Sequence, residues 1–205
     1  MPSKHIYLIR HGQTDYNLKG IIQGSRVDTD LNQTGQEQAE KFFNAYAHIP
    51  FDKVYTSLLK RTHQSVARFL QKNIPHEKYE GLNEISWGEQ DGMATNLEMR
   101  DYYNYVSKEW ASGNLDLKIG GGESPNQVAE RQKPVINLIL SRSDEKNILI
   151  CMHGRAMRIL LCQLLEKSLS EMDNFEHSNL CLYLLEYANG NIKILKANDT
   201  AHLVD

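Results

Sequence analysis

His5-Ile-Tyr-Leu-Ile-Arg-His-Gly-Gln-Thr14 is an apolar run of strand type that stops abruptly in an Arg-His-Gly turn. A second His-Gly pair, His153-Gly154, follows a similar run, Asn147-Ile-Leu-Ile-Cys-Met152, and leads into Arg155 and a helical pattern. Ligands of open α/β sheets bind at the carboxyl ends of the strands, so residues about 140 apart in sequence can share one pocket there. With eight His and thirteen Gly in 205 residues, about 0.5 His-Gly pairs arise by chance, but only about 0.02 Arg-His-Gly triplets. A buried-type strand just before the triplet lowers that figure further. The Arg beside the first His points to an anion.

A chain of 205 residues fits one domain over 1–205 and is long enough to bury a substantial core. Its net charge of −3 comes from 23 basic and 26 acidic residues, well mixed, and gives no long-range field to draw nucleic acid or an anionic membrane. A small anion therefore needs a local basic pocket. Cys151, Cys162 and Cys181 form no CxxC pair and lie in apolar segments, which reads as buried thiols of a reducing compartment. No signal-peptide pattern opens the chain, and no apolar stretch approaches the roughly 18 residues of a membrane span. The expectation is a cytoplasmic protein without nucleic-acid or membrane partners; oligomeric state is unknown from these residues.

Periodicity orders the rest. Helical spacing is predicted over Gln33 to Ala47 through Ala39, Phe42, Phe43 and Tyr46, with Thr34 as cap, and Phe51 to Thr56 reads as a short strand. Ser57 is the expected N-cap of a helix reaching about Asn73, with Leu58, Thr62, Ser65, Val66 and Phe69 inward. Tyr79 to Leu82 is read as a third strand. Residues from about 93 to 120 lack sheet alternation and read as a helical insertion that covers a site; Tyr102, Tyr103, Tyr105 and Trp110 there suit a local core better than sugar packing. A helix over Asn126 to Leu140 should kink at Pro134. After the strand at 147 to 152 come a helix from about Arg155 to Glu166 and two β runs, Leu180 to Glu186 and Asn191 to Leu195, joined by an Ala188-Asn-Gly190 hairpin. Strands alternating with helices argue for an α/β sandwich with a mainly parallel sheet and an antiparallel edge strand.

Moving a phosphoryl group needs an in-line nucleophile, positive charge around the equatorial oxygens and a proton for the leaving oxygen. A neutral imidazole is nucleophilic and forms a phosphoramidate that passes the group on, a role that fits His11. The guanidinium forks of Arg10 and Arg61 match phosphate oxygens, and His153 adds a donor when protonated by a bound dianion. For Arg61 alone, a solvated surface position is the plain alternative. Glu84, between Leu82, Ile85 and Trp87, is the best-placed acid, although composition alone does not select it from 26 carboxylates.

These residues together resemble the histidine phosphatase superfamily, the phosphoglycerate mutase-like family. The likeness runs through Leu8-Ile-Arg-His-Gly-Gln-Thr14 with Asn17, Gln23-Gly24, Asp30-Leu31, Thr34-Gly35, Gln38-Ala39, and Tyr55-Thr-Ser57 with Arg61. It continues through Leu82-Asn-Glu84 with Gly88 and Gly92, Gly122-Glu-Ser124, and His153-Gly154 with Arg158. The resemblance implies a three-layer α/β/α sandwich, phosphoglycerate mutase-like. It also implies a phosphate pocket of Arg10, His11, Asn17, Arg61, His153 and Gly154, with His11 phosphorylated and Glu84 as acid and base. Gln23 and Gly24 match positions facing the substrate beyond its phosphate. No metal or cofactor is implied, and the partner is a small phosphorylated metabolite. Met152 stands where relatives often carry a small hydroxyl residue, and Gln13 where many carry Glu.

Within that family the short stretch from Glu84 to Gly122 and Gly20-Ile-Ile-Gln-Gly24 look more like phosphatase than mutase members, so hydrolysis is expected. A bisphosphoglycerate-dependent phosphoglycerate mutase is the alternative. A noncatalytic phospho-ligand module is disfavoured because every catalytic position is filled. A metal-dependent hydrolase lacks any HxxxH, HExxH or Asp-rich motif.

Overall fold

Five of the seven residues of β1 (Lys4–Arg10) are buried, and alternate side chains enter two different cores. Ile6 and Leu8 pack with Ile148, Ile150 and Met152 on one face; Tyr7 and Ile9 pack with Val54, Leu149 and Cys151 on the other. This is the period-2 geometry of a strand covered on both sides. Each such Ile or Leu contributes about 1.5–3 kcal/mol relative to exposure. The computed structural model describes residues 3–204, so residues 1, 2 and 205 of the predicted 1–205 domain lie outside the described residues.

The other strands are β2 (Lys53–Thr56), β3 (His76–Lys78), β4 (Asn147–Met152), β5 (Leu182–Ala188) and β6 (Asn191–Asp199). They form one sheet in the order β3-β2-β4-β1-β5-β6. β1, β4, β2 and β3 are parallel, whereas β5 runs antiparallel to β1 and β6 antiparallel to β5. The expected antiparallel edge is therefore a two-stranded hairpin. Its turn has Asn189 at φ 53° and Gly190 at φ 81°, the positive pair that a tight two-residue turn requires.

Among the described residues seven α-helices accompany the sheet: α1 (Asp15–Lys19), α2 (Gln33–Tyr46), α3 (Lys60–Ser65), α4 (Ala67–Leu70), α5 (Leu97–Ala111), α6 (Pro125–Ser141) and α7 (Gly154–Leu164). Phe42 and Phe69 bring α2 and α4 into one core. Val106, Trp110, Val128, Ile139, Met157 and Leu160 bring α5, α6 and α7 into the other. Helix, sheet and helix make the three layers. Cys151, Cys162 and Cys181 are free and buried. Among the described residues no helix is long and apolar enough to cross a membrane.

Several local expectations change. The cap of α2 is Asn32, whose side chain accepts from Gly35 N, while Thr34 lies inside the helix. The predicted Ser57–Asn73 helix is two short ones, interrupted at Val66 with φ −116° and ψ 9°. Ser65 Oγ donates to Arg61 O at 2.6 Å while accepting from Gly12 N at 2.9 Å, and such back-bonding bends helices. Leu58, expected inward, is 47% exposed. The third strand lies earlier than expected, at His76–Lys78. Tyr79 N still reaches Thr56 O, and then Glu80–Leu82 coils into a 3-10 turn in which a Cβ on Gly81 would stand 2.5 Å from Arg131 O. The helix expected over Asn126 to Leu140 is present as α6, which contains Pro134 and is started by a capping box of Ser124 and Gln127.

Candidate active site

Register does most of the assembly. Arg10 pairs with Met152 and Thr56 with Cys151, so β1, β4 and β2 end at nearly the same level of the sheet. His11, His153 and Ser57 each stand at or just beyond those ends, and His11 N extends the ladder to Met152 O at 3.0 Å. The rings of His11 and His153 have centroids 5.2 Å apart. Both residues are buried.

His11 Nδ1 lies 2.7 Å from Gly12 O. A carbonyl only accepts, so Nδ1 carries the ring proton and Nε2 keeps its lone pair. Burial, followed by the charges of Arg61 and Arg10, holds the His11 pKa well below the ordinary imidazole value. The ring is neutral at pH 7. Gly12 is required here because a Cβ would stand 2.7 Å from Gly35 O.

His153 is wired the other way. Its Nδ1 accepts from Arg61 Nε at 3.2 Å, which leaves Nε2 as the donor to Ser57 Oγ at 2.8 Å. Ser57 Oγ also accepts from Leu59 N and meets Thr62 Oγ1 at 3.0 Å. Burial, then Arg61 and His11, hold its pKa well below the ordinary value too.

The cations are poised for an anion. Arg61, fully buried, spends three N–H groups on His153, Val27 O and Gly24 O, leaving two of the five of a guanidinium. Burial lowers its pKa to about 10, opposed by Glu84, so it stays charged. Arg10 gives one N–H to His177 Nδ1 at 3.1 Å, and its buried Nε has no partner. An unpaired buried guanidinium N–H is costly unless a ligand meets it. Asn17 accepts through Oδ1 from Thr14 N and Asn179 Nδ2, so its own amide N–H groups remain uncommitted.

The buried carboxylate of Glu84 docks on the start of α7, accepting from Arg155 N at 3.1 Å, Ala156 N at 2.8 Å and Ile85 N at 2.9 Å. A helix N-terminus favours such an oxygen ligand. Gly154 begins that helix, and a Cβ there would lie 2.6 Å from the His177 ring. Gly24 is equally confined, 2.2 Å from Asp91 Oδ1 if a Cβ were added. Gln23 donates to Thr14 Oγ1 at 2.7 Å and lines a cavity of about 400 Å³ with Ile22, Trp87, Met99 and Tyr103. Trp110 is core as expected, whereas Tyr102 and Tyr105 are exposed.

Three residues were missed by sequence reasoning. His177 orients Arg10, Asn179 Nδ2 donates to His11 O at 3.0 Å, and Ser57 engages His153 rather than capping a helix. Pairing of Ile9 with Leu182 is the signal that places residues just before β5 beside those just after β1. Among the described residues no group of three or more His, Cys, Asp or Glu is arranged to hold a metal ion.

With this geometry established, the chain belongs to the histidine phosphatase superfamily: the model of branch 1 of that superfamily matches residues 6–200. A broad-specificity phosphatase of Saccharomyces cerevisiae is 31% identical, over 98% of this chain and 87% of its own length. Phosphoserine phosphatase 1 of Hydrogenobacter thermophilus is 28% identical, over 97% and 93%. The same fold is found in a mutant phosphoserine phosphatase of Entamoeba histolytica bound to phosphoserine. It matches with a TM-score of 0.84 at 24% identity, covering 98% of this chain and all of the other.

Proposed function

We propose that the protein hydrolyses phosphate monoesters of a small metabolite through a phosphohistidine on His11. The observation that carries this reading is the pair of rings 5.2 Å apart, one presenting a lone pair and the other tied to Arg61. Relatives named as phosphatases at about the same length support it.

His11 Nε2 attacks phosphorus, the bond to the ester oxygen breaks, and that oxygen takes a proton from Glu84. Water then attacks the phosphohistidine, Glu84 takes its proton, the P–N bond breaks and phosphate leaves. Arg10, Arg61 and Asn17 hold the oxygens, and Gly154 lets the His153 turn close on His177. His153 turns its N–H from Ser57 to the phosphoryl group as charge builds there. Gln23 and Gly24 border the organic part, and residues 93–120 of the single domain cover it. The buried, unpaired cysteines support the cytoplasm as the compartment.

The test is turnover of p-nitrophenyl phosphate with excess chelator present. Release of inorganic phosphate with an acid-labile label on the wild-type protein supports the reading; activity that disappears with the metal overturns it. Isomerisation of 3-phosphoglycerate in the presence of bisphosphoglycerate, without phosphate release, would make the protein a mutase.

A further inference from the structure

The 400 Å³ cavity is walled by residues tied to the phosphoryl site. In-line transfer puts the leaving oxygen opposite His11 and beside the acid, Glu84. Three cavity walls connect to that acid or to the loop after His11. Trp87 follows Glu84 by three residues. The Tyr103 hydroxyl binds the Arg155 guanidinium, and the Arg155 amide holds the Glu84 carboxylate. Gln23 is fastened to Thr14.

The surface turned to the cavity is mainly apolar, although polar side chains, Arg100 and Asn104 among them, also border it. Ile22, Trp87, Met99 and Tyr103 are four of its nine lining residues. Trp87 sits edge-on to Tyr103 at 5.8 Å and tilted on Trp110 at 6.3 Å, and Trp110 is itself pinned by its indole N–H to Leu117 O at 2.9 Å. Opposite them, Ile22 is locked to the entrance of the insertion: Ile22 N donates to Met93 O, and Gly92 N donates to Ile22 O. A volume of this size lies within the usual range of small-molecule pockets, about 300–1,000 Å³. A serine or glycerate body would leave much of it empty and the Trp87, Met99 and Ile22 surfaces uncovered.

We infer that the preferred substrate, on the phosphatase reading above, is the phosphate of an alcohol carrying a ring-sized apolar body. The ring packs between Ile22, Met99 and the Trp87 face while phosphate sits at His11. Burial of one ring on a rigid wall gives selectivity over a short alkyl chain without any new polar contact. This assigns the specificity of the site to α5 and the Ile22 loop.

The experiment compares 3-phenylpropyl phosphate with n-propyl phosphate, whose leaving oxygens are similarly basic, so chemistry is matched and only the ring differs. A kcat/KM ratio of about 10- to 100-fold in favour of the phenyl ester is expected. Met99→Asp should bring that ratio toward one, with Met99→Gln repeating the test if the acidic variant does not fold. A wild-type ratio near one, or a large ratio that both variants keep, overturns the assignment. Binding of the corresponding phosphonates provides a turnover-independent readout through the chain's two tryptophans, Trp87 and Trp110. Phosphonate preference without hydrolysis of either ester would sink the phosphatase reading and leave the cavity assignment standing. Hydrolysis of both esters at equal efficiency does the reverse.

Discussion

The ends of β1 and β4 carry the same dipeptide, lie side by side in the sheet and hold their rings in opposite tautomers. At the end of β1 a carbonyl takes the Nδ1 proton of His11, which leaves Nε2 nucleophilic. At the end of β4 Arg61 donates to Nδ1 of His153, so its Nε2 carries the proton. Identical motifs thus become a base-like and an acid-like group. The neighbour of Nδ1 decides which, and that neighbour is local for one ring and 92 residues away for the other.

The sharpest way to break this asymmetry is to remove each ring in turn. His11→Ala should lower kcat by about 10⁴-fold or more and abolish the acid-labile phosphoenzyme. His153→Ala should cost about 10²–10³-fold and still label under rapid quench, because it removes charge stabilisation and not the acceptor of the group. Label that survives in His11→Ala and vanishes in His153→Ala would reverse the two roles.

Glu84→Gln comes next, since the end of β4 also presents the amides that seat this carboxylate. Loss of roughly 10²-fold or more is expected on an alkyl phosphate, whose leaving oxygen needs a proton. In kcat/KM for p-nitrophenyl phosphate, which reports only transfer to His11 and whose phenolate leaves unaided, the loss should be much smaller, while the base role keeps a loss in the later hydrolysis step. Equal losses of kcat/KM on both substrates would remove Glu84 from the role of proton donor.

A smaller effect tests the shared property of the two rings, their neutrality. Both have pKa values below those of an unfolded chain, so as pH falls below about 6.5 the unfolded state takes up protons that the folded state refuses. Stability from these groups is therefore present above that pH and lost as pH drops toward the folded values. His177, held down to about 3 by burial and then by Arg10, extends the same window. Each such group adds about 1.4 kcal/mol per pH unit to the slope. Urea unfolding between pH 6.5 and 5 should show a slope that His153→Ala reduces by about that amount, and that inorganic phosphate flattens in the wild type. A slope unchanged by either would mean the rings are protonated in the fold.

The sequence made the sheet and the two His-Gly turns legible because strand runs and the turns that end them are local patterns, whereas Arg61 and Glu84 were singled out from many like residues by the family resemblance. What stayed hidden depends on register and hydroxyl direction. Ser57 reads as a helix cap by position, yet its hydroxyl turns to His153, and the helix starts later without a side-chain cap. His177 and Asn179 occupy an unpatterned polar stretch, and only the antiparallel pairing of β5 with β1 carries them to Arg10 and His11. The break at Val66 follows from Ser65 serving the Gly12 loop, a tertiary demand that helical propensity does not contain.

Ser57→Ala is the mildest of these perturbations and the finest probe of the asymmetry. The hydroxyl accepts from His153 Nε2 and from Leu59 N, so its removal strands two buried donors and should cost about 1–3 kcal/mol of stability. Its effect on turnover runs through His153 alone: the N–H loses its resting acceptor but keeps its bond from Arg61, so kcat/KM should fall within about tenfold. If Ser57 acts by holding that ring, the loss disappears in a His153→Ala background, and the double variant turns over no more slowly than His153→Ala. An equal loss in both backgrounds would mean that Ser57 meets the phosphoryl group itself, making the β2 end a third arm of the site alongside β1 and β4.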